Sequence, residues 1–258
     1  MGAIAAFLAG VIWGFLGLFV RQMLSVGYTS TQMTCLRYVV VAVILFVCMS
    51  VRDRNLFRVD PKMLILLAAI GIVGNALNST AIFSAMERIP IGLATILEYL
   101  APFFVVAMSV YLFGGKITPV KVVAVTVAFF GCILCTGVLT SSVDLDVIGV
   151  VFGLLSAVFF GAYTLGSKKA RNDGCDTLTV LFYAAVFCAV FLSPFCDLPA
   201  AVCVTSSSIY NLALLLGLSL GLTLLPFGLY NYSLSKIEAG KSSIISLVEM
   251  PTSWRSDW

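Results

Sequence analysis

The sequence predicts an all-α polytopic membrane protein. Three observations carry this. Of its 258 residues 61% are hydrophobic and only 10% charged, and the mean hydropathy is +1.10. Soluble domains carry about 25% charged residues, so a soluble chain of this composition would need an implausibly large apolar core. Apolar stretches also recur at the length that crosses a bilayer, roughly 20 residues at ~1.5 Å rise each. Finally, lysines and arginines gather in alternate loops.

Taken in order, the spans fall at residues 3–20, 31–50, 63–84, 91–113, 118–139, 147–167, 178–196 and 209–233. The first has no basic segment before it and no evident cleavage site, so it reads as a retained helix. A ninth span starts near Lys241, but its apolar run ends at SSIISLVEM and the polar PTSWRSDW follows. About ten apolar residues are too few to cross the hydrocarbon core, so this helix is expected to be cut short.

Eleven basic residues sit on one side: Arg52, Arg54, Arg58, Lys62, Lys116, Lys121, Lys168, Lys169, Arg171, Lys236 and Lys241. The opposite loops carry two, Arg21 and Arg88. The N-terminus is therefore expected in the cytoplasm. The runs RDRNLFR and SKKAR read as loops held against an anionic leaflet, and a net charge of +3 gives no reason to invoke nucleic acid.

Sliding the chain by ~147 residues lays GVIWGFLGLFVR over AVFFGAYTLGSK, with Trp13 on Phe160, Gly14 on Gly161 and Arg21 on Lys168. One further residue of shift lays RIPIGLATI over KIEAGKSSI. Spans one to four then match six to nine, with span five between. An odd number of helices per unit makes the second enter from the opposite face. This predicts an inverted repeat, with a substrate site near midplane between the halves.

AAFLAGVIWGFLGLFVR, ATILEYLAPFFVVAMSVYLFGGKITPVKVVAVTVAFFGCIL and IEAGKSSIISLVE resemble the EamA branch of the drug/metabolite transporter superfamily. The resemblance implies ten helices in two inverted five-helix repeats and transport of small metabolites, amino acids among them. It divides the chain into a first repeat at 1–140, a second and incomplete one at 141–250, and a non-family polar tail at 251–258. The sequence departs from the family pattern at Gly115, where a glutamate usually precedes the basic residue, and after helix nine begins. The expected function is secondary transport by alternating access across the cytoplasmic membrane, with export the expected direction and proton coupling left open. The alternative is a non-transporting scaffold or a non-functional truncated transporter. The expected partners are a small-molecule substrate and the bilayer, and a homodimer is admitted.

Candidate site residues follow from polarity inside apolar spans. A carboxylate in hydrocarbon costs a few kcal/mol, so Glu98 should face a partner or a cavity. Arg37 is its natural partner, since both lie about 9–11 Å from the outer ends of their helices. Pro102 and Pro226 are expected to kink their helices. In span three, Gly71, Gly74, Asn75, Asn78 and Ile82 share one face at helical spacing, and the two amides could bond a substrate or a neighbouring helix. Thr223 and Tyr230 could supply polar lining in the second repeat. Trp13, Tyr99 and Tyr163 could supply aromatic walls. Glu249 is a further intramembrane carboxylate.

Enzymatic roles are disfavoured. The chain has no histidine, which removes a serine–histidine centre and an H-E-x-x-H site. All eight aspartates lie in loops, at span ends or in the tail. The Cys132–Cys135 C-x-x-C has no second pair, so neither metal nor cofactor is expected and buried cysteine reads as a small hydrophobe. No G-x-x-x-x-G-K-[ST] is present for nucleotide-driven pumping.

Overall fold

A computed structural model describes residues 1–113 and 146–247, together with isolated positions between 119 and 130. Most of the fifth span, Cys132, Cys135, Glu249 and the polar tail lie outside the described residues. Among the described residues, seven helices are long and apolar enough to cross a membrane. They are α1 (Gly2–Ser25), α2 (Ser30–Arg52), α3 (Pro61–Met86), α4 (Ile91–Ser109), α5 (Val147–Asn172), α6 (Thr177–Phe195) and, after a short α7 (Leu198–Ser206), α8 (Ile209–Lys236). A ninth helix, α9, follows at Ala239–Ser246. The expected all-α membrane architecture is what the described residues form.

Capping chemistry sets where the helices start. Thr29 and Gln32 close a capping box at α2. Asp60, Asp146, Asp176 and Asp197 each accept from backbone N–H groups at the starts of α3, α5, α6 and α7. Four of the aspartates that fall outside the apolar spans therefore have a structural use, satisfying donors that lipid would leave bare.

Two helices are interrupted. α1 breaks between Trp13 and Leu16, and α4 between Glu98 and Ala101, just ahead of Pro102. α3 and α8 instead widen into π-helix, at Ile70–Leu77 and Gly217–Leu224. Pro226 follows the second of these, in the first turn of the resumed α-helix. The wide turns also change the face read from the sequence. Gly71 and Gly74 press against α6 and α5, whereas Asn78 and Ile82 turn toward a cavity.

Backbone features recur at one spacing. The π segments begin 147 residues apart, at Ile70 and Gly217. Gly27 and Gly174, also 147 apart, are the glycines with positive φ among the described residues, at 98° and 85°. Each ends its helix with the same pair of hydrogen bonds. Tyr28 N reaches Met23 O and Gly27 N reaches Leu24 O, as Cys175 N reaches Ala170 O and Gly174 N reaches Arg171 O. A left-handed residue closes a helix this way, and glycine adopts it without a Cβ clash.

Packing partners are exchanged in the same pattern. α1 packs on α8 and α9, and α5 packs on α3 and α4. α2 packs on α6, and α4 on α9. At residue level, Gly2 abuts Lys236 and Ile237, while Gly149 abuts Arg88 and Ile89. Each small residue lets one helix start against the turn that begins another.

Candidate functional site

A cavity with about 630 Å³ of empty space, counting its open side, lies among α1, α2, α3, α4, α5, α8 and α9. One wall is polar, formed by Arg37, Asn78, Ser79 and Glu98. Trp13, Phe160 and Phe227 also line the cavity, with Ser243 and Ser246 contributed by α9.

The polar wall is built on one turn of α3. Arg37, only 3% exposed, donates through Nη2 to Ser79 Oγ. Its guanidinium also lies over the rings of Tyr38 and Phe83, at 4.8 and 4.9 Å from their centroids. Such stacking suits a weakly hydrated planar cation. Asn78, with its amide oriented so that donors meet acceptors, donates to Ser156 O at 2.8 Å and to Glu98 Oε1 at 3.3 Å. The charges of Arg37 and Glu98 act on each other through space, while their hydrogen bonds run to the adjacent residues Ser79 and Asn78.

The aromatic wall is centred on Trp13. Its ring meets Phe160 at 5.8 Å and 83°, Phe227 at 5.1 Å and 73°, and Tyr230 at 5.5 Å and 58°. The first two contacts are edge-to-face, one of the arrangements aromatic pairs prefer, and the third is tilted. Trp13 and Phe160, matched in the sequence alignment of the halves, therefore touch each other.

Of the sequence candidates, the structure brings Trp13, Arg37, Asn78, Glu98, Tyr99 and Pro102 to one cavity. The others stand outside its lining. Tyr163 is fully buried and its hydroxyl accepts from Asn231 Nδ2 at 2.5 Å. Tyr230, equally buried, shares a hydrogen bond with Thr164 at 3.0 Å. Thr223 donates to Leu218 O at 2.8 Å, five residues back, which fits the π geometry around it. Asn75 is buried and Pro226 packs at the start of the resumed α8.

Several lining residues escaped sequence reading. Ser79 and Phe83 had no signal apart from their place on α3. Ser246 did have one, since it stands 148 residues after Glu98, the spacing of the second motif match. At that offset from Glu98 the chain carries a serine, and Arg37, Asn78, Ser79 and Glu98 of the polar wall all lie within residues 37–98. Lys168, read from sequence only as a leaflet anchor, donates to Leu234 O at 2.7 Å and Ile237 O at 3.1 Å, tying α5 to the turn between α8 and α9.

A multi-helix membrane protein with a cavity of mixed charge and aromatic character among its helices is the class these observations define. The EamA-like transporter family matches residues 1–137 and again 147–251, and the chain belongs to that family. Two proteins of Archaeoglobus fulgidus, each named as an uncharacterized transporter, are similar in sequence. One is 26% identical over 250 residues, covering 96% of this chain and 83% of the relative. The other is 25% identical over 190 residues, covering 74% and 66%. A crystal structure titled only as that of a protein shares the fold, with a TM-score of 0.73, 18% identity and coverage of 98% of this chain and 85% of that one. The protein is a multi-pass membrane transporter.

Proposed function

We propose that the protein moves a small polar metabolite, an amino acid or related compound, unchanged across the cytoplasmic membrane by alternating access, with export as its direction. The two moving bodies are inverted five-helix repeats at residues 1–140 and 141–250, and the N-terminus is cytoplasmic. Exchanged packing partners and the recurrence of π segments and helix-ending glycines at 147-residue spacing support the repeat. The imbalance of eleven basic residues against two supports the orientation.

One observation carries the reading: a buried arginine and a carboxylate share a cavity that both halves line. Charged side chains at membrane depth are costly and mark substrate or ion pathways. Arg37 and the Asn78–Ser79 pair suit a substrate carboxylate, Glu98 suits an amine or a coupling proton, and the Trp13 cluster suits an apolar body. Trp13, Asn78, Glu98 and Tyr99 are the residues assigned to binding. The test is uptake of labelled amino acids and related metabolites into liposomes containing the purified chain, against protein-free liposomes. Uptake of at least one compound, inhibited by excess unlabelled compound, is the expected result. Failure of the whole set with folded protein would overturn the substrate class.

A further inference from the structure

In the orientation proposed above, α5 and α8 meet along a polar seam toward their inner ends. Asn231 Nδ2 donates to Tyr163 OH at 2.5 Å, and Thr164 Oγ1 shares a hydrogen bond with Tyr230 OH at 3.0 Å. Nearer the inner end, Lys168 Nζ donates to Leu234 O at 2.7 Å and Ile237 O at 3.1 Å. Tyr163 and Lys168 lie roughly 14 and 6 Å from the inner end of α5 at helical rise. Tyr163, Thr164, Tyr230 and Asn231 are all fully buried.

Three features set this seam apart from ordinary packing. Its rings continue into the cavity wall: Tyr163 meets Phe227 at 5.0 Å, Tyr230 meets Phe160 at 5.8 Å, and both phenylalanines line the cavity. Next, Asn231 Oδ1 is buried without a hydrogen-bond partner among the described residues. A bare buried acceptor costs free energy, which water entering an opened seam would return. Finally, α8 leaves α geometry at Gly217–Leu224, and Pro226 follows directly. Its stretch Leu225–Lys236 therefore has a bending point just ahead of the seam.

We propose that this seam is the inner gate of the cavity, held shut in the structure by Tyr163, Thr164, Lys168, Tyr230 and Asn231. The inference rests on the inverted repeat and the cytoplasmic N-terminus proposed above. At an offset of 147, Leu16, Gly17, Phe83 and Ser84 stand where the second repeat has Tyr163, Thr164, Tyr230 and Asn231. Leucine with serine and glycine with phenylalanine form no hydrogen bond between side chains, and Leu16 and Phe83 line the cavity instead. The first repeat is thus unlatched where the second is latched, the asymmetry expected of a cavity closed toward the cytoplasm. Inward opening swings Leu225–Lys236 off α5 about the π segment, so the second repeat flexes as it moves. A substrate beside Phe160 and Phe227 acts on the latch through the rings it displaces.

The test places one cysteine in the cavity lining, Ser246→Cys on a cysteine-free full chain, and follows its labelling by an impermeant maleimide. Intact cells present the outer face and inside-out vesicles the inner face. The gate is loosened by Tyr163→Phe with Tyr230→Phe, and separately by Lys168→Met, which leaves the buried rings in place. Each change is expected to raise inner-face labelling at least ~fivefold, the scale of one or two lost hydrogen bonds, and to lower outer-face labelling. A fold that is merely loosened reacts faster from both faces, and that result would overturn the inference. Inner-face labelling unchanged by either change would overturn it too. If the chain in liposomes still takes up a labelled metabolite, that failure refutes the gate alone; without uptake, the proposed function falls with it. A rise confined to the outer face refutes the orientation together with the inner gate. No labelling from either face in any variant refutes both the gate and alternating access through this cavity.

Discussion

Arg37 and Glu98 are joined through two adjacent residues of α3, with Ser79 accepting from the guanidinium and Asn78 donating to the carboxylate. The two charges thus hold adjacent residues of the same helical turn. A substrate that competes for either charge would pull on α3 just beyond its π segment, where the helix is already wound out of α geometry.

The two ends of this bridge are unequal, and the variants should show it. Arg37 is nearly inaccessible and also holds two aromatic rings. Removing it as Arg37→Gln should cost about 3–5 kcal/mol, the range for breaking a buried charge pair. Glu98→Gln should cost less, because glutamine still accepts from Asn78. The double variant should recover part of the Arg37→Gln loss. Melting in detergent orders the three, and a larger drop for Glu98→Gln than for Arg37→Gln would contradict the bridge.

Two glycines 147 residues apart, Gly74 and Gly221, have opposite surroundings. A Cβ on Gly74 would stand 2.7 Å from Tyr163 Cβ and 2.9 Å from its Cα, whereas one on Gly221 would meet nothing within 4 Å. Backbone cannot swing aside as a side chain can. Gly74→Ala should therefore cost about 1–3 kcal/mol, as overpacking does. Gly221→Ala should cost nothing measurable. Equal melting losses for the two would show that the close contact of α3 with α5 does not bear on stability.

Orientation is read from exposed positions on a cysteine-free background. Asn55→Cys, in the loop after α2, should resist an impermeant maleimide in intact cells, and Ser207→Cys, after α7, should react. Reaction at residue 55 from outside would reverse the topology.

Sequence alone reveals the class of protein and most span positions, because length and apolarity are what a bilayer selects. The sequence match of Trp13 over Phe160 and Arg21 over Lys168 has the same ~147 spacing as the π segments and the positive-φ glycines. The site is legible in part. Glu98 and Arg37 stand out because charge within an apolar span is rare. Asn75 and Asn78 look equivalent on an α-helical wheel, but the π segment rotates one away from the cavity and leaves the other in its lining. Nothing in IGIVGNAL announces that wider turn. Tyr163 and Tyr230 illustrate a second limit. Their side chains are as suited to a wall as to a core, and their partners Asn231 and Thr164 lie 68 and 66 residues away in sequence.

The central claim is that the cavity of Arg37, Asn78, Ser79 and Glu98 lies on the transport route, with Glu98 exchanging a proton or substrate amine there. Its most direct measurement compares wild type with Glu98→Gln in liposomes, for any compound the wild type takes up, in two modes: uptake driven by a pH gradient, and counterflow without one. Exchange needs no net proton movement. The account predicts that Glu98→Gln loses gradient-driven uptake at least tenfold while counterflow, if altered at all, falls far less. Wild-type rates in both modes, from a variant of wild-type stability, would contradict it.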